Sequence, residues 1–447
     1  MSHSLAVELN GVIQREAPET FAALSTLGRE FYFPKGILTQ TAEARQKAKK
    51  FNATIGIAKE KGEPMYLPSI MKQLPAVSPQ DALNYAPSYG TLELRQAWKK
   101  ALLEKNPSLK ADALGTPVVT GGITHGLSVA ADMFVDAGDP VYVPDQLWGN
   151  YNMIFGLRRG GRILRYPLFV NNSGFDTAGF ARALDEVKPG QKALVILNFP
   201  NNPTGYTPTE TEAEAIARTL ADLAQGGRRL VVLCDDAYFG LAYEANVAKE
   251  SIFAKLAGRH PNLVPVKLDG ATKEDYVWGF RVGFVTFTGS PKANEALEKK
   301  AAGCVRGAVS NVSQLSQSVV LKAMASPDYK ADKKRKYDVM KARYDRAKQA
   351  LAKPAYAEVW TPYPFNSGYF FCVKLKGLNA EAYRLRLLDQ YGVGLIATAP
   401  TDIRVAFSCL EVEEIEPMFD LMRQCALDMR GDPAAADLSR HAEAFEE

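Results

Sequence analysis

Between residues 117 and 287 the chain repeats one pattern: a short apolar run, a helical stretch, then another short apolar run. The runs lie at 117–120, 140–143, 193–197, 230–234, 263–268 and 282–287, mostly rich in β-branched residues and bounded by Gly, Pro, Asp or Asn. Runs of this length and make-up are what strands buried on both faces require. Amphipathic helices separate several of them. One is predicted over 209–223, directly after Pro208. Another, over 91–103, precedes the first run and carries Leu94, Ala97, Trp98, Ala101 and Leu102 on one face. Strand and helix in alternation give an α/β domain with a mainly parallel sheet, because parallel neighbours need a crossover between them. The rest of the chain has a different character. A long charged helix is predicted over 327–351, strands near 368–373 and 403–407, a helix near 380–391, and a helical stripe at Ile415, Met418, Phe419 and Met422. These make a smaller α+β lobe, and the Ala/Glu/Asp-rich end, 431–447, is expected to fray.

Composition removes several classes of function. The 447 residues carry 54 Lys+Arg against 50 Asp+Glu, a net charge of +4 spread along the chain, so no basic patch or arm for nucleic acid is expected. The one basic run, Lys330 to Lys348, alternates with Asp, Tyr, Met and Ala and reads as the wet face of a helix. No apolar stretch reaches the ~18–20 residues that span a bilayer. Met1–Asn10 lacks a basic start followed by an apolar block, so no signal peptide is expected and a cytoplasmic location is. Five scattered cysteines without a CxxC pair, and four histidines, argue against a disulfide framework and against a metal centre.

In open α/β sheets ligands gather at the carboxyl ends of the strands. After the first run come Gly121-Gly122-Ile123-Thr124-His125, either a plain turn or a helix start whose free N–H groups hold a phosphate. After the third come Asn198-Phe199-Pro200-Asn201-Asn202-Pro203-Thr204-Gly205, a rigid turn able to aim an amide. After the fourth come Asp235-Asp236-Ala237-Tyr238, an acidic turn or a carboxylate and phenol that tune an aromatic heterocycle. After the fifth come Asp269-Gly270-Ala271-Thr272-Lys273 and then Gly279-Phe280-Arg281-Val282-Gly283.

Taken in order, these segments resemble the class I aminotransferases of the pyridoxal-phosphate (PLP) fold type I group, nearest the aspartate/aromatic branch, from about Asn52 to Met422. The resemblance implies a large domain, residues 63–328, with a mainly parallel seven-stranded sheet flanked by helices, and a discontinuous smaller α+β domain from 1–62 and 329–447. It implies PLP as cofactor, with Lys273 binding it covalently and then moving the substrate's α-proton. It implies Asp235 against the ring nitrogen, Asn202 and Tyr238 at the ring's phenolic oxygen, and Trp148 stacked on the ring face. Gly122, Ile123, Thr124 and Arg281 would hold the phosphate, and Tyr85 would reach the phosphate of a neighbouring subunit, implying a homodimer with shared sites. Arg404 would clamp the substrate's α-carboxylate beside Gly56, and Arg306 would meet a distal carboxylate across the dimer.

Three departures from the family pattern stand out. Gly270 replaces a serine three residues before the lysine, Glu274-Asp275 follow that lysine, and Val312-Ser313 replace a double proline. The implied reaction moves the amino group of an acidic or aromatic amino acid to a 2-oxo acid such as 2-oxoglutarate by a ping-pong route. A PLP-dependent lyase or decarboxylase, and a ligand-sensing regulator domain, are the alternatives on the same fold. The regulator would need a DNA-binding segment, and the first fifty residues carry no helix-turn-helix pattern.

Overall fold

The computed structural model describes residues 3–34 and 36–438. Seven strands form the large sheet: β1 (Val118–Gly121), β2 (Pro140–Pro144), β3 (Arg162–Tyr166), β4 (Lys192–Asn198), β5 (Arg229–Asp235), β6 (Leu263–Gly270) and β7 (Val282–Phe287). Their order across the sheet is β1-β7-β6-β5-β4-β2-β3. The five strands from β6 to β3 pair in parallel, and β7 runs antiparallel to both of its neighbours. Alternate residues of the central strands serve opposite faces. Leu194, Ile196, Val231 and Leu233 pack into one apolar cluster, whereas Ala193, Val195, Leu197, Leu230, Val232 and Cys234 pack into the other. Both faces are therefore dry, and the strands read as unbroken apolar runs. Each large side chain buried there contributes about 1.5–3 kcal/mol.

Six of the seven strands coincide with the runs seen in the sequence. The seventh, β3, does not, because this edge strand, unlike the edge strand β1, is partly exposed. It leaves Arg162 and Arg165 exposed, so it has no continuous apolar run. The helix after Pro208 spans Glu210–Gln225 and is opened by a capping box in which Thr209 and Glu212 bond each other's backbone N–H.

The carboxyl-terminal part carries an antiparallel four-stranded sheet, β8 (Trp360–Pro362), β9 (Phe371–Leu375), β10 (Ile396–Ala399) and β11 (Asp402–Val405), ordered β8-β9-β11-β10. β9 begins later than the expected 368, because Gly368 takes φ +75, Asn366 and Ser367 donate to the Gly205 carbonyl and Gly368 to that of Leu241. The helices Tyr329–Leu351, Ala380–Tyr391 and Ile415–Asp428 lie where they were expected. On the first of these, Lys334 and Lys341 pair with Asp338 and Asp345 one turn on, while Met340, Tyr344 and Ala347 are buried. Among the described residues no helix is long and apolar enough to cross a membrane. The end expected to fray forms a helical turn at Pro433–Ala436, and its last residues, 439–447, lie outside the described ones.

The described residues among the first fifty form four helices, Ser4–Glu16, Pro18–Ala23, Thr26–Glu30 and Ile37–Lys47. Phe51–Asn52 then pairs in parallel with Val393–Gly394, which ties this segment to the carboxyl-terminal lobe.

Candidate active site

Strands β4, β5 and β6 end side by side, so Asn198, Asp235 and Gly270 lie along one rim of the sheet. Above that rim is a cavity of about 230 Å³. Its wall brings together Gly56, Ile123, Thr124, Trp148, Asn202, Asp235, Tyr238, Lys273, Arg281 and Arg404, ten of the residues singled out in the sequence.

Asp235 forms the floor and is 2% exposed. One carboxylate oxygen accepts the Tyr151 hydroxyl at 2.5 Å and the other accepts the Ala237 N–H at 3.2 Å. Burial raises its pKa to about 6, against the Tyr151 hydrogen bond and the nearby Lys273 charge, which pull it down. The Lys273 amine lies 4.9 Å from the centre of the Tyr238 ring. Burial is the main reason its pKa falls to about 8. Asp235 opposes the fall, and Arg281 and Arg404 add to it. The backbone carbonyl of Lys273 accepts the Tyr369 hydroxyl at 3.1 Å.

The two asparagines of the Asn201-Asn202 loop divide the work. Asn201 holds the loop: its Oδ1 accepts both the N–H and the hydroxyl of Thr204, and its Nδ2 donates to the Gln146 carbonyl. Asn202 faces the cavity, where its Oδ1 accepts from Arg404 at 3.1 Å. Asn198 joins loop to strand by donating to the Asp235 carbonyl and accepting the Asn202 N–H.

At the other end, Gly121–Gly122 lead into the helix Gly122–Phe134, whose first turn, with its unpaired N–H groups, lines the cavity through Ile123 and Thr124. Arg281 sits beside this helix start with φ +56, a costly conformation for a side chain of its size, and reaches only long contacts of 3.4 and 3.5 Å to the Trp278 and Gly121 carbonyls. A guanidinium so placed is available to an anion. Gly122 has φ +77, and a Cβ on it would lie 2.5 Å from the Arg281 Nη2.

Gly270 shows why serine is absent there. A Cβ at this position would lie 2.6 Å from the Val282 carbonyl oxygen and 2.7 Å from the Gly283 Cα. The neighbouring acids turn away from the cavity. Glu274 pairs with Lys105 and Lys333, and Asp275 pairs with Lys333 and accepts the Tyr329 hydroxyl.

Arg404, 2% exposed, donates to the Thr54 carbonyl at 2.7 Å as well as to Asn202, and its guanidinium lies 4.2 Å from the Phe370 ring centre. The Gly56 segment is held to the same lobe, since Ser408 donates to the Ile57 carbonyl and the Cys409 thiol meets the Ile55 and Ile57 carbonyls. Gly56 and the guanidinium are thereby carried by one body.

Three of the expected residues do not line this cavity: Gly122, which lies behind it against Arg281, and two that the single chain leaves elsewhere. Tyr85 is 92% exposed, and Arg306, also exposed, donates to Ser310 one turn on. Both were expected to act across a subunit boundary. Six lining residues were missed from sequence: Ile37, Tyr151, Asn198, Ala237, Thr272 and Phe370. Tyr151 had a signal, standing one helical turn after Trp148, and its ring now packs edge-on to that indole at 5.6 Å. Just beyond it the chain makes a wide π-helical turn at Asn152–Leu157, an irregularity frequent at functional sites.

The model of the family "Aminotransferase class I and II" matches residues 48–420, and the chain belongs to that family as a class I aminotransferase. It is 25% identical over 338 residues to a probable N-acetyl-LL-diaminopimelate aminotransferase of Bacillus subtilis, covering 74% of this chain and 78% of that one. It is 26% identical over 327 residues to a probable aspartate/prephenate aminotransferase of Aquifex aeolicus, covering 72% and 76%. Among solved structures it resembles an aminotransferase from Anaerococcus prevotii, with a TM-score of 0.79, 21% identity and coverage of 90% and 98%. The Thermus thermophilus aspartate aminotransferase with maleate matches with a TM-score of 0.71, 19% identity and coverage of 90% and 99%.

Proposed function

We propose that this aminotransferase uses PLP at the cavity above β4, β5 and β6, and that it takes acidic amino acids as donors and a 2-oxo acid such as 2-oxoglutarate as acceptor in a ping-pong cycle. One observation carries the reading: a buried carboxylate and a lysine of lowered pKa share one cavity, with an available guanidinium and a helix start at one end and a buried guanidinium at the other. This set matches the charges of the cofactor and of an amino acid. Asp235 suits a protonated ring nitrogen, Arg281 with Gly122, Ile123 and Thr124 suits a phosphate, and Arg404 suits an α-carboxylate. Trp148 supplies a face for the ring, and Asn202 and Tyr238 supply polar groups beside it.

Bound PLP supplies an electron-accepting ring and a carbonyl that carries the amino group. The chain's own residues do the rest. Lys273, with a pKa near 8, holds an appreciable fraction of neutral amine near pH 7 and takes and returns the substrate's α-proton at Nζ. Asp235 holds its charge near neutral pH because Tyr151 and the Ala237 N–H bind its ionised form. Arg404 orients donor and acceptor alike through the carboxylate that both possess, with Asn202 steadying its fork.

The names of the two relatives, N-acetyl-LL-diaminopimelate and aspartate/prephenate aminotransferase, both refer to substrates with more than one carboxylate, which supports an acidic donor here. A homodimer is supported by exposed apolar side chains at Leu83, Tyr85, Leu92 and Val309, near Tyr85 and Arg306 in sequence. We divide the chain into a cofactor-binding domain, 63–328, and a second domain from 1–62 and 329–447. The parallel pairing of Phe51–Asn52 with Val393–Gly394 supports this division. Five free thiols fit a reducing, cytoplasmic setting. Single turnover tests the reaction. Holoenzyme given an amino acid and no acceptor should release one oxo acid per site and no ammonia. Ammonia released over many turnovers would replace this reading with a lyase.

A further inference from the structure

A second cavity of about 140 Å³ lies against the first, and the two share Ile37 and Asn202 as their common wall. Arg404 donates to Asn202 on the other side of that wall, so an α-carboxylate held by Arg404 sits next to it. The second chamber is closed by parts of both lobes. One side is Asp145, Gln146 and Asn152, after β2. The opposite side is Ala397–Pro400, the end of β10, which Gln40 holds through two hydrogen bonds to the backbone of Ala397.

Arg165, at the end of edge strand β3, also lines this chamber. Its guanidinium makes no hydrogen bond or ion pair with any described residue. Asp145 is the acid that faces it, and its attraction to Arg165 offsets part of the burial that raises its own pKa. The pair is not in contact. Asp145 Oδ1 accepts the backbone N–H groups of Gln146 and Leu168, at 2.8 and 3.0 Å. The chamber wall thus carries a solvent-exposed guanidinium that has no ion-pair partner among the described residues, and an acid that does not contact it. Among the described residues, the other groups on its wall are neutral amides, hydroxyls and aliphatic carbons.

We infer that this chamber is the subsite for the donor's side chain, and that Arg165 reads a carboxylate at the far end of that side chain. The inference rests on the aminotransferase reading of the first cavity and names the substrate class more closely. The donors are α-amino acids whose side chain is longer than that of aspartate, long enough to pass the Ile37–Asn202 wall, and ends in a carboxylate. The distal group is read within one chain, without the exposed Arg306. Arg165 is a specificity residue. It takes no part in proton transfer, which belongs to Lys273 in the first cavity.

The test uses holoenzyme and three donors: alanine, 2-aminoheptanoate and 2-aminoheptanedioate, the last two differing only in the terminal carboxylate. In the unaltered enzyme kcat/KM should favour the dicarboxylic donor by roughly 10- to 100-fold, the range of a charge-assisted hydrogen bond. Arg165→Gln should remove most of that preference by raising KM, with alanine unchanged, and Arg165→Lys should restore part of it. Asp145→Asn keeps the oxygen that binds Gln146 and Leu168 but removes the opposing charge, so it should move the preference upward, opposite to Arg165→Gln. An equal preference in Arg165→Gln, or no preference in the unaltered enzyme, overturns the inference. Failure to turn over all three donors would instead count against the function proposed for the first cavity.

Discussion

Tyr151→Phe removes one hydroxyl and leaves the ring packing, so its effect isolates the 2.5 Å hydrogen bond to Asp235. A hydrogen bond to an ionised group contributes about 1.5–3 kcal/mol. At 1.36 kcal/mol per pKa unit, its loss raises the Asp235 pKa by about 1–2 units from the present value of about 6. The sign follows from which state holds the proton more tightly. The folded pKa lies above the ordinary value of 3.8, so ionising Asp235 costs stability as pH rises from about 4 to 6, and the cost persists above that. With a gap of about two units, the cost is roughly 3 kcal/mol in the unaltered protein at neutral pH. Raising the folded pKa further leaves pH 5 almost untouched, because Asp235 is already protonated there in the folded state. At pH 7 it adds about 1 kcal/mol of destabilisation. Urea unfolding of the cofactor-free protein at pH 5 and pH 7 reads this difference directly. In holoenzyme the acidic limb of kcat/KM should move upward by a comparable number of units. An equal loss of stability at both pH values would show that Tyr151 acts by packing and not on the Asp235 charge.

Gly270→Ser would restore the family's usual residue, yet its Cβ meets backbone at 2.6 Å, so the variant should lose about 1–3 kcal/mol in thermal unfolding and bind PLP more weakly. Tighter PLP binding without loss of stability would contradict the close packing of β6 against β7. Lys267→Met leaves Asp236 and Asp269 buried without their common cation, and denaturation near neutral pH should show a loss of about 3–5 kcal/mol, smaller at pH 5 where Asp269, with its pKa raised to about 6, is protonated. Arg404→Ala should raise KM for donor and acceptor together by roughly 10- to 100-fold, since both present the same carboxylate. A change confined to one substrate would remove it from the shared site.

The sheet was legible because six of its strands are dry on both faces and so appear as unbroken apolar runs. Strand β3 escaped because an edge strand carrying Arg162 and Arg165 has no such signature. The residues that touch the cavity from strand ends were legible by position: Asp235, Asn202 and Lys273 each follow a run, and the ordered motifs supplied their roles. Tyr151 and Asn198 were not, because each acts on Asp235 by a hydrogen bond whose partner is 84 or 37 residues away. Gly270 and the Glu274–Asp275 pair looked like defects on paper. Their reasons are three-dimensional: a backbone crossing at Val282–Gly283, and two lysines, Lys105 and Lys333, brought in from distant helices. The chamber lined by Arg165 was invisible for the same reason, since its walls come from the segment after β2, β3, the Asn202 loop, the Ile37 helix and the end of β10.

The central claim is that Lys273 binds the cofactor at this cavity. Incubating the protein with PLP, reducing with borohydride and mapping the modified peptide by mass spectrometry tests it most directly. The expected result is one cofactor per chain on Lys273, with both attachment and turnover lost in Lys273→Ala. Stoichiometric attachment at another lysine, or normal turnover in that variant, would contradict it.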